Sequence, residues 1–202
     1  MIIYGDLGSG NCLKVKYTAD YLGLPYRWAA VDITKGESRT PEALRRNPMG
    51  QVPAIELDDG RCLAQSNAII RFLARGSALL PDDGFAQAKI DELLFWEQYS
   101  HEPYIAVCRF HMVYLGRPKE AREPARVERG EAALDLMEKL LAGRDWLVGP
   151  TMTIADIALL AYTRLAHEGG FDLARRPAVA AWIGRGEQTL RLESTFALTG
   201  NA

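Results

Sequence analysis

The chain has 202 residues, 48% of them apolar and 25% charged, a composition that excludes a wholly disordered protein. A net charge of −2, from 24 basic and 26 acidic residues, gives no electrostatic reason to expect nucleic acid or an anionic membrane as partner. Three scattered cysteines, Cys12, Cys62 and Cys108, fit a reducing, cytoplasmic setting better than a disulfide scaffold. The opening Met-Ile-Ile-Tyr-Gly-Asp reads as a strand and not as a signal peptide, and charge interrupts every apolar run before it could span a bilayer.

Residues 2–5 predict a short strand. The Gly8-Ser9-Gly10-Asn11 turn leads into a helix on which Cys12, Val15, Ala19 and Leu22 recur at helical spacing, and Gly23 and Pro25 end it. Residues 26–32 predict a second strand, parallel to the first. Thr40-Pro41-Glu42 reads as the cap, first position and first-turn acid of a short helix. Residues 52–57, the Asp58-Asp59-Gly60 turn and residues 61–64 form a hairpin, and 66–74 a helix. The order βαβαββα is a thioredoxin-like layout. After a linker over 77–84 only helices are expected. One runs over 85–115, bent at Pro103. One spans 122–142 with Val127, Leu134, Met137 and Leu141 on a stripe, one begins near Ile154, and one follows Pro177. The expected architecture is an α/β thioredoxin-like N-terminal domain over residues 1–76 and an all-α C-terminal helical domain over 85–202.

Four segments could carry chemistry. Ser9-Gly10-Asn11-Cys12 opens the first helix, where unpartnered N–H groups and the helix dipole favour negative charge. A thiolate there would be stabilised by the Ser9 hydroxyl and the Asn11 amide, but both residue types also serve as plain caps. Cys12 is either an activated nucleophile or a packed core thiol, and Val15 rules out C-x-x-C spacing. Val52–Pro53, if cis, would offer an edge to an extended peptide, whereas the commoner trans proline at a strand start needs no function. Ser66 opens another helix and would bind a carboxylate or simply cap. Thr153 and Asp156 form a capping box, with Met152 and Ile157 as hydrophobic staple, and this segment is structural. His101, His111 and His167 have no metal-ligand spacing, and residues 122–129 read as a solvated mixed-charge face.

Taken in order, Ser9-Gly10-Asn11-Cys12-Leu13-Lys14-Val15, Asn47-Pro48-Met49-Gly50-Gln51-Val52-Pro53, Gln65-Ser66-Asn67-Ala68-Ile69 and Asp145-Trp146-Leu147-Val148-Gly149 before Thr153–Asp156 resemble the glutathione transferase superfamily over about residues 1–190. The first segment is similar to the serine- and asparagine-using bacterial classes, and Tyr4 is not assigned a catalytic role. The resemblance implies a cytoplasmic homodimeric detoxification enzyme, with glutathione as co-substrate and no metal, that conjugates the thiolate to a small apolar electrophile. It implies Ser9 and Asn11 as donors to the sulfur and the Val52 backbone, beside a cis-Pro53, as partner of the cysteinyl unit. Gln65 and Ser66 would hold the γ-glutamyl end and Gln51 the glycyl end. Ser38 stands where related members often carry histidine, so Lys35 or Arg39 would meet the glycyl carboxylate. Gln65 replaces a common acid, removing a charge partner worth about 1.5–3 kcal/mol. Tyr99, Tyr104 and Arg109, on the long helix, would wall the electrophile pocket. Two alternatives stand beside this reading: a glutathione-dependent reductase or lyase using Cys12, and a non-catalytic binding module of the same fold.

Overall fold

The computed structural model describes residues 1–195 and divides into two compact units, the second opening at Pro81. Of the helical domain expected over 85–202, residues 196–202 lie outside the described residues.

In the first unit, β1 (Ile2–Gly5), α1 (Gly10–Tyr21), β2 (Arg27–Ala30), α2 (Pro41–Arg46), β3 (Ala54–Glu56), β4 (Cys62–Ala64) and α3 (Ser66–Leu73) follow the anticipated order. The four-stranded sheet is ordered β2-β1-β3-β4. β1 runs parallel to β2, pairing Ile3 with Trp28, and antiparallel to β3, pairing Ile3 with Ile55; β3 pairs antiparallel with β4. This is the thioredoxin-like arrangement. Gly5 ends β1 where a Cβ would meet the Trp28 ring at 2.9 Å and Cys12 Cβ at 3.1 Å, so a bare Cα is what lets β1, β2 and α1 close together. Ile3, Cys12, Val15, Ala19, Ile55, Ile69 and Ile70 are fully buried and form the core of this unit.

The amphipathic reading of α1 needs correcting. Besides the Cys12–Val15–Ala19 stripe, Leu13, Lys14, Tyr17 and Thr18 are buried, so the helix is covered on more than one face.

The second unit contains helices and no strand among the described residues. The long helix expected over 85–115 is instead α4 (Gly84–Trp96), a π turn over Glu97–His101, α5 (Glu102–Arg109) and a second π turn over Phe110–Tyr114. The break precedes Pro103 because proline offers no N–H to the turn before it. The ladder widens instead, with the Glu102 N–H bonding to the Glu97 carbonyl, five residues back. α6 (Pro124–Leu141), α7 (Ile154–Thr163) and α8 (Pro177–Leu190) follow. Every residue of α7 is buried, and α6, α7 and α8 enclose the fully buried Met137, Leu134 and Trp182. The face over 122–129 is not merely solvated: Arg122 donates to the carbonyls of Gly169 and Gly170, and Arg126 to that of Pro103, at 3.0, 3.1 and 2.7 Å.

Asp156 organises this unit. Its carboxylate accepts from the N–H groups of Leu147 and Thr153, from the Thr153 hydroxyl and from Trp182 Nε1, at 2.9, 2.9, 3.0 and 3.0 Å. The capping box is therefore present and is tied to α8 through the indole. Burial pushes the carboxyl up, and the four donors pull it back. Asp156→Ala strands buried donors at about 1–3 kcal/mol each, so we expect unfolding stability to drop by about 3–5 kcal/mol. Urea denaturation followed by tryptophan fluorescence measures this, and a drop below about 1 kcal/mol would contradict it.

Candidate functional site

Helix starts need partners for their first N–H groups, and the chain meets that need in different ways. Thr40 caps α2 through its side chain, accepting from the Ala43 N–H, and Asp83 caps α4, accepting from the Ala86 N–H. α1 and α3 have no such bond. Ser9 holds the cap position of α1 and Gln65 that of α3, and neither side chain caps. The plain capping role open to Ser9 is thus not taken. Gln65 sits at φ 68° and ψ 110°, a left-handed backbone that costs a non-glycine residue about 1–3 kcal/mol.

The starts of α1 and α3 meet. Ser66 Oγ donates to Asn11 Oδ1 at 3.1 Å. Beneath them Lys14, fully buried, sets its Nζ 3.3 Å from Asn67 Oδ1 and 3.5 Å from Ser66 Oγ. The 47–53 loop closes the cluster. Asn47 Nδ2 donates to the Gln51 carbonyl at 2.7 Å, and Gln65 Nε2 reaches Met49 Sδ at 3.3 Å. Gly50 has φ 63°, and a Cβ there would lie 3.2 Å from Arg39 Cγ, so the Arg39 stem lies against this loop. The Val52–Pro53 peptide is cis, and β3 begins only at Ala54, which leaves the Val52 backbone outside the sheet ladder.

The structure thus gathers Ser9, Asn11 and Ser66 at the two helix starts, with Arg39, Gln51, Val52, Pro53 and Gln65 along the adjoining loop. Lys35 stands apart. It is 74% exposed and paired with Asp32 at 2.9 Å, and hydrogen bonds from Thr34 and Lys35 hold the Asp32 carboxyl well below its usual range. Tyr4 is engaged elsewhere: its hydroxyl donates to Glu56 at 2.9 Å, Arg46 lies 4.0 Å over its ring, and burial and the Glu56 bond raise its pKa.

Cys12 shares the α1 start but not its exposure. Its side chain is fully buried, and burial pushes the thiol up to about 11 against the opposing hydrogen bonds from the Asp6 N–H and the Ser9 side chain. A thiol so placed is almost wholly protonated at neutral pH.

In the second unit Tyr99, Tyr104 and Arg109 are engaged separately. Tyr99 lies in the first π turn, 82% exposed. Tyr104 Oη accepts from Arg129 at 2.9 Å, and Arg109, buried on α5, pairs with Glu168 at 2.6 Å. Cavities of about 530 Å³ beside Tyr26 and Asp58, and of about 240 Å³ beside Arg164 and His167, include none of the anticipated site residues. Among the described residues no three His, Cys, Asp or Glu side chains gather as a metal would need. No described helix is long and apolar enough to cross a membrane.

Sequence reasoning missed Lys14 and Asn67. A lysine off the apolar stripe of a helix reads as surface, and only the covering of a second face of α1 turns it inward. Asn67 had a usable signal, its place beside Ser66 at a helix start.

The three thiols should separate by reagent access. Native protein treated with iodoacetamide at neutral pH is expected to carry the label on exposed Cys62 and not on buried Cys12 or Cys108, read by peptide mass spectrometry. Rapid labelling of Cys12 would refute its core placement. The raised Cys12 pKa also fixes a sign. Unfolded chains lose that proton first, near about 8.5, so stability should fall as pH rises from there towards about 11. Cys12→Ala should lack that part of the fall in denaturation curves.

Profiles of the glutathione S-transferase N-terminal and C-terminal domains match residues 8–75 and 119–185. Over 198 residues the chain is 32% identical to mouse glutathione S-transferase theta-1, covering 92% of this chain and 81% of that one. A glutathione S-transferase-like protein, LUC7, of a Fusarium species is 31% identical over 96% of this chain and 91% of its own. A glutathione S-transferase crystal structure from Pseudomonas fluorescens is 49% identical, with a TM-score of 0.92 over 96% of this chain and 98% of that one. With both domain profiles met in chain order and these relatives aligned over nine-tenths of its length or more, the chain belongs to the glutathione S-transferase family.

Proposed function

We propose that the protein is a glutathione transferase that conjugates the glutathione thiolate to a small apolar electrophile. The observation that carries this is the meeting of the α1 and α3 starts through Ser66 and Asn11, 3.1 Å apart, beside the 47–53 loop. Helix starts with spare donors suit anions. Glutathione brings two kinds to such a place, carboxylates and a thiolate.

In this reading residues 1–76 form the glutathione-binding domain and residues 85–202 shape the electrophile pocket. Ser9 and Asn11 donate to the sulfur. A cysteine-type thiol ionises near about 8.5, and lowering that by about two pKa units takes about 2.7 kcal/mol of preference for the thiolate, within reach of two donors and a helix dipole. The Val52 backbone beside Pro53 pairs with the cysteinyl unit, and Gln65 and Ser66 hold the γ-glutamyl end. Gln51 and Arg39 meet the glycyl carboxylate, and Lys35 serves there only on leaving Asp32. The sulfur then bonds to the electrophilic carbon as the leaving group departs with the bonding pair, and positioning supplies the rest of the rate. Tyr99 and Tyr104 contribute to the electrophile pocket, and Arg109 braces the turn carrying Glu168. The reductase or lyase reading through Cys12 is disfavoured by the burial of that thiol.

We also assign a cytoplasmic homodimer. Phe85 and Phe95 on α4 are each 75% exposed, and a second copy of this chain would cover them.

Calorimetry with glutathione on wild type and Ser66→Ala tests the binding mode. Weakening by about tenfold or more, about 1.4 kcal/mol, is expected. No heat and no thermal stabilisation with millimolar glutathione would sink the transferase reading. Binding without turnover over a broad panel of electrophiles would favour the non-catalytic module. For the assembly, light scattering should give the dimer mass for wild type and the monomer mass for Phe95→Glu; a monomeric wild type would end that assignment.

A further inference from the structure

Among the described residues Lys14 is the only buried lysine, and it is fully covered. Burying an ammonium is expensive unless polar groups meet it. Two that do so are side chains from the first turn of α3, Asn67 Oδ1 at 3.3 Å and Ser66 Oγ at 3.5 Å.

The direction of these bonds matters. An ammonium donates and cannot accept. By taking a lone pair of Ser66 Oγ, Lys14 leaves the hydroxyl to donate elsewhere, and it donates to Asn11 Oδ1, the two oxygens 3.1 Å apart. By taking Asn67 Oδ1, it turns the Asn67 carboxamide so that its Nδ2 donors point away from the lysine. The backbone N–H groups of Ser66, Asn67 and Ala68 precede the first rung of the helical ladder, the Ile69 N–H to the Gln65 carbonyl at 2.9 Å. Ser66 and Asn67 are thereby held with their donor groups turned from the lysine, beside these backbone N–H groups. Without Lys14, either side chain could equally turn an acceptor oxygen to the same spot.

We infer that Lys14 is a positioning residue that fixes Ser66 and Asn67 as donors and so makes the α3 start selective for a carboxylate. This rests on the glutathione reading, in which that carboxylate is the α-carboxylate of the γ-glutamyl unit. Lys14 acts through Ser66 and Asn67 and does not touch the tripeptide. When the ligand arrives, the Ser66 proton exchanges Asn11 Oδ1 for the carboxylate, because a hydroxyl has one proton to give.

The test compares two ligands, S-methylglutathione and the analogue in which γ-aminobutyrate replaces the γ-glutamyl unit, which lacks the α-carboxylate and keeps the amino group. Both are titrated by calorimetry into wild type, Lys14→Met, Ser66→Ala and Asn67→Leu. Wild type should prefer S-methylglutathione by about tenfold or more. Lys14→Met should cut that preference to about threefold or less while binding the truncated analogue about as well as wild type does. A purely structural lysine would weaken both ligands alike, so a preference retained in Lys14→Met overturns the inference. Should Lys14→Met fail to fold, the two α3 variants carry the same test, and a preference kept in both overturns it. Equal binding of both ligands by wild type also overturns it while leaving the glutathione reading intact. Binding of neither ligand at millimolar concentration overturns the glutathione reading itself, and this inference with it.

Discussion

Backbone N–H groups at the start of a helix must be met by something, and the helices of this fold meet that requirement in different ways. α2, α4 and α7 meet it within the chain, through Thr40, Asp83 and the Thr153–Asp156 pair. α1 and α3 do not use their cap side chains, and these two starts are drawn together by the Ser66–Asn11 bond. A carboxylate built into the chain at α7 and, on the proposed function, an anion taken up at α1 and α3 solve one electrostatic problem in two ways. The first locks the helical unit, and the second, on the same proposal, leaves the sheet unit able to take up a ligand.

Two sulfurs compete for the α1 start in any functional account, that of Cys12 and that of a bound thiol. Geometry alone does not separate them, since both would see the same dipole. Solvation does. Cys12 lies under the first turn, where removal from water outweighs the donors that reach it, and its pKa rises to about 11. A sulfur held outside the turn would keep the donors without that penalty. The side of the turn on which a sulfur sits decides whether the helix start activates it.

Much of the fold was legible because it rests on local chemistry. The Thr40-Pro41 start, the Asp58-Asp59-Gly60 turn and the capping box each state their structure within four residues. The strands came out shorter than expected, β2 as Arg27–Ala30 and β3 as Ala54–Glu56, because apolar character extends beyond the paired stretch. The π turns were not legible: Pro103 announces a disturbance but not that the ladder will widen before it. Nor was the burial of Lys14, since a helix covered on a second face leaves no periodic trace in its own residues. Within the candidate site, Ser9, Asn11 and Ser66 were readable as helix-start residues. The attachment of Arg39 and Gln65 to the 47–53 loop depended on tertiary contacts that no spacing encodes.

The left-handed backbone at Gln65 has an evolutionary corollary. Glycine would relax that conformation, so a search for thermostable variants should be drawn to this position early. The same change deletes the amide that reaches Met49 and loosens the entry to α3. If residue 65 holds the ligand as proposed, selection for robustness and selection for ligand capture pull it in opposite directions, and its identity in any descendant of this chain records which pressure prevailed.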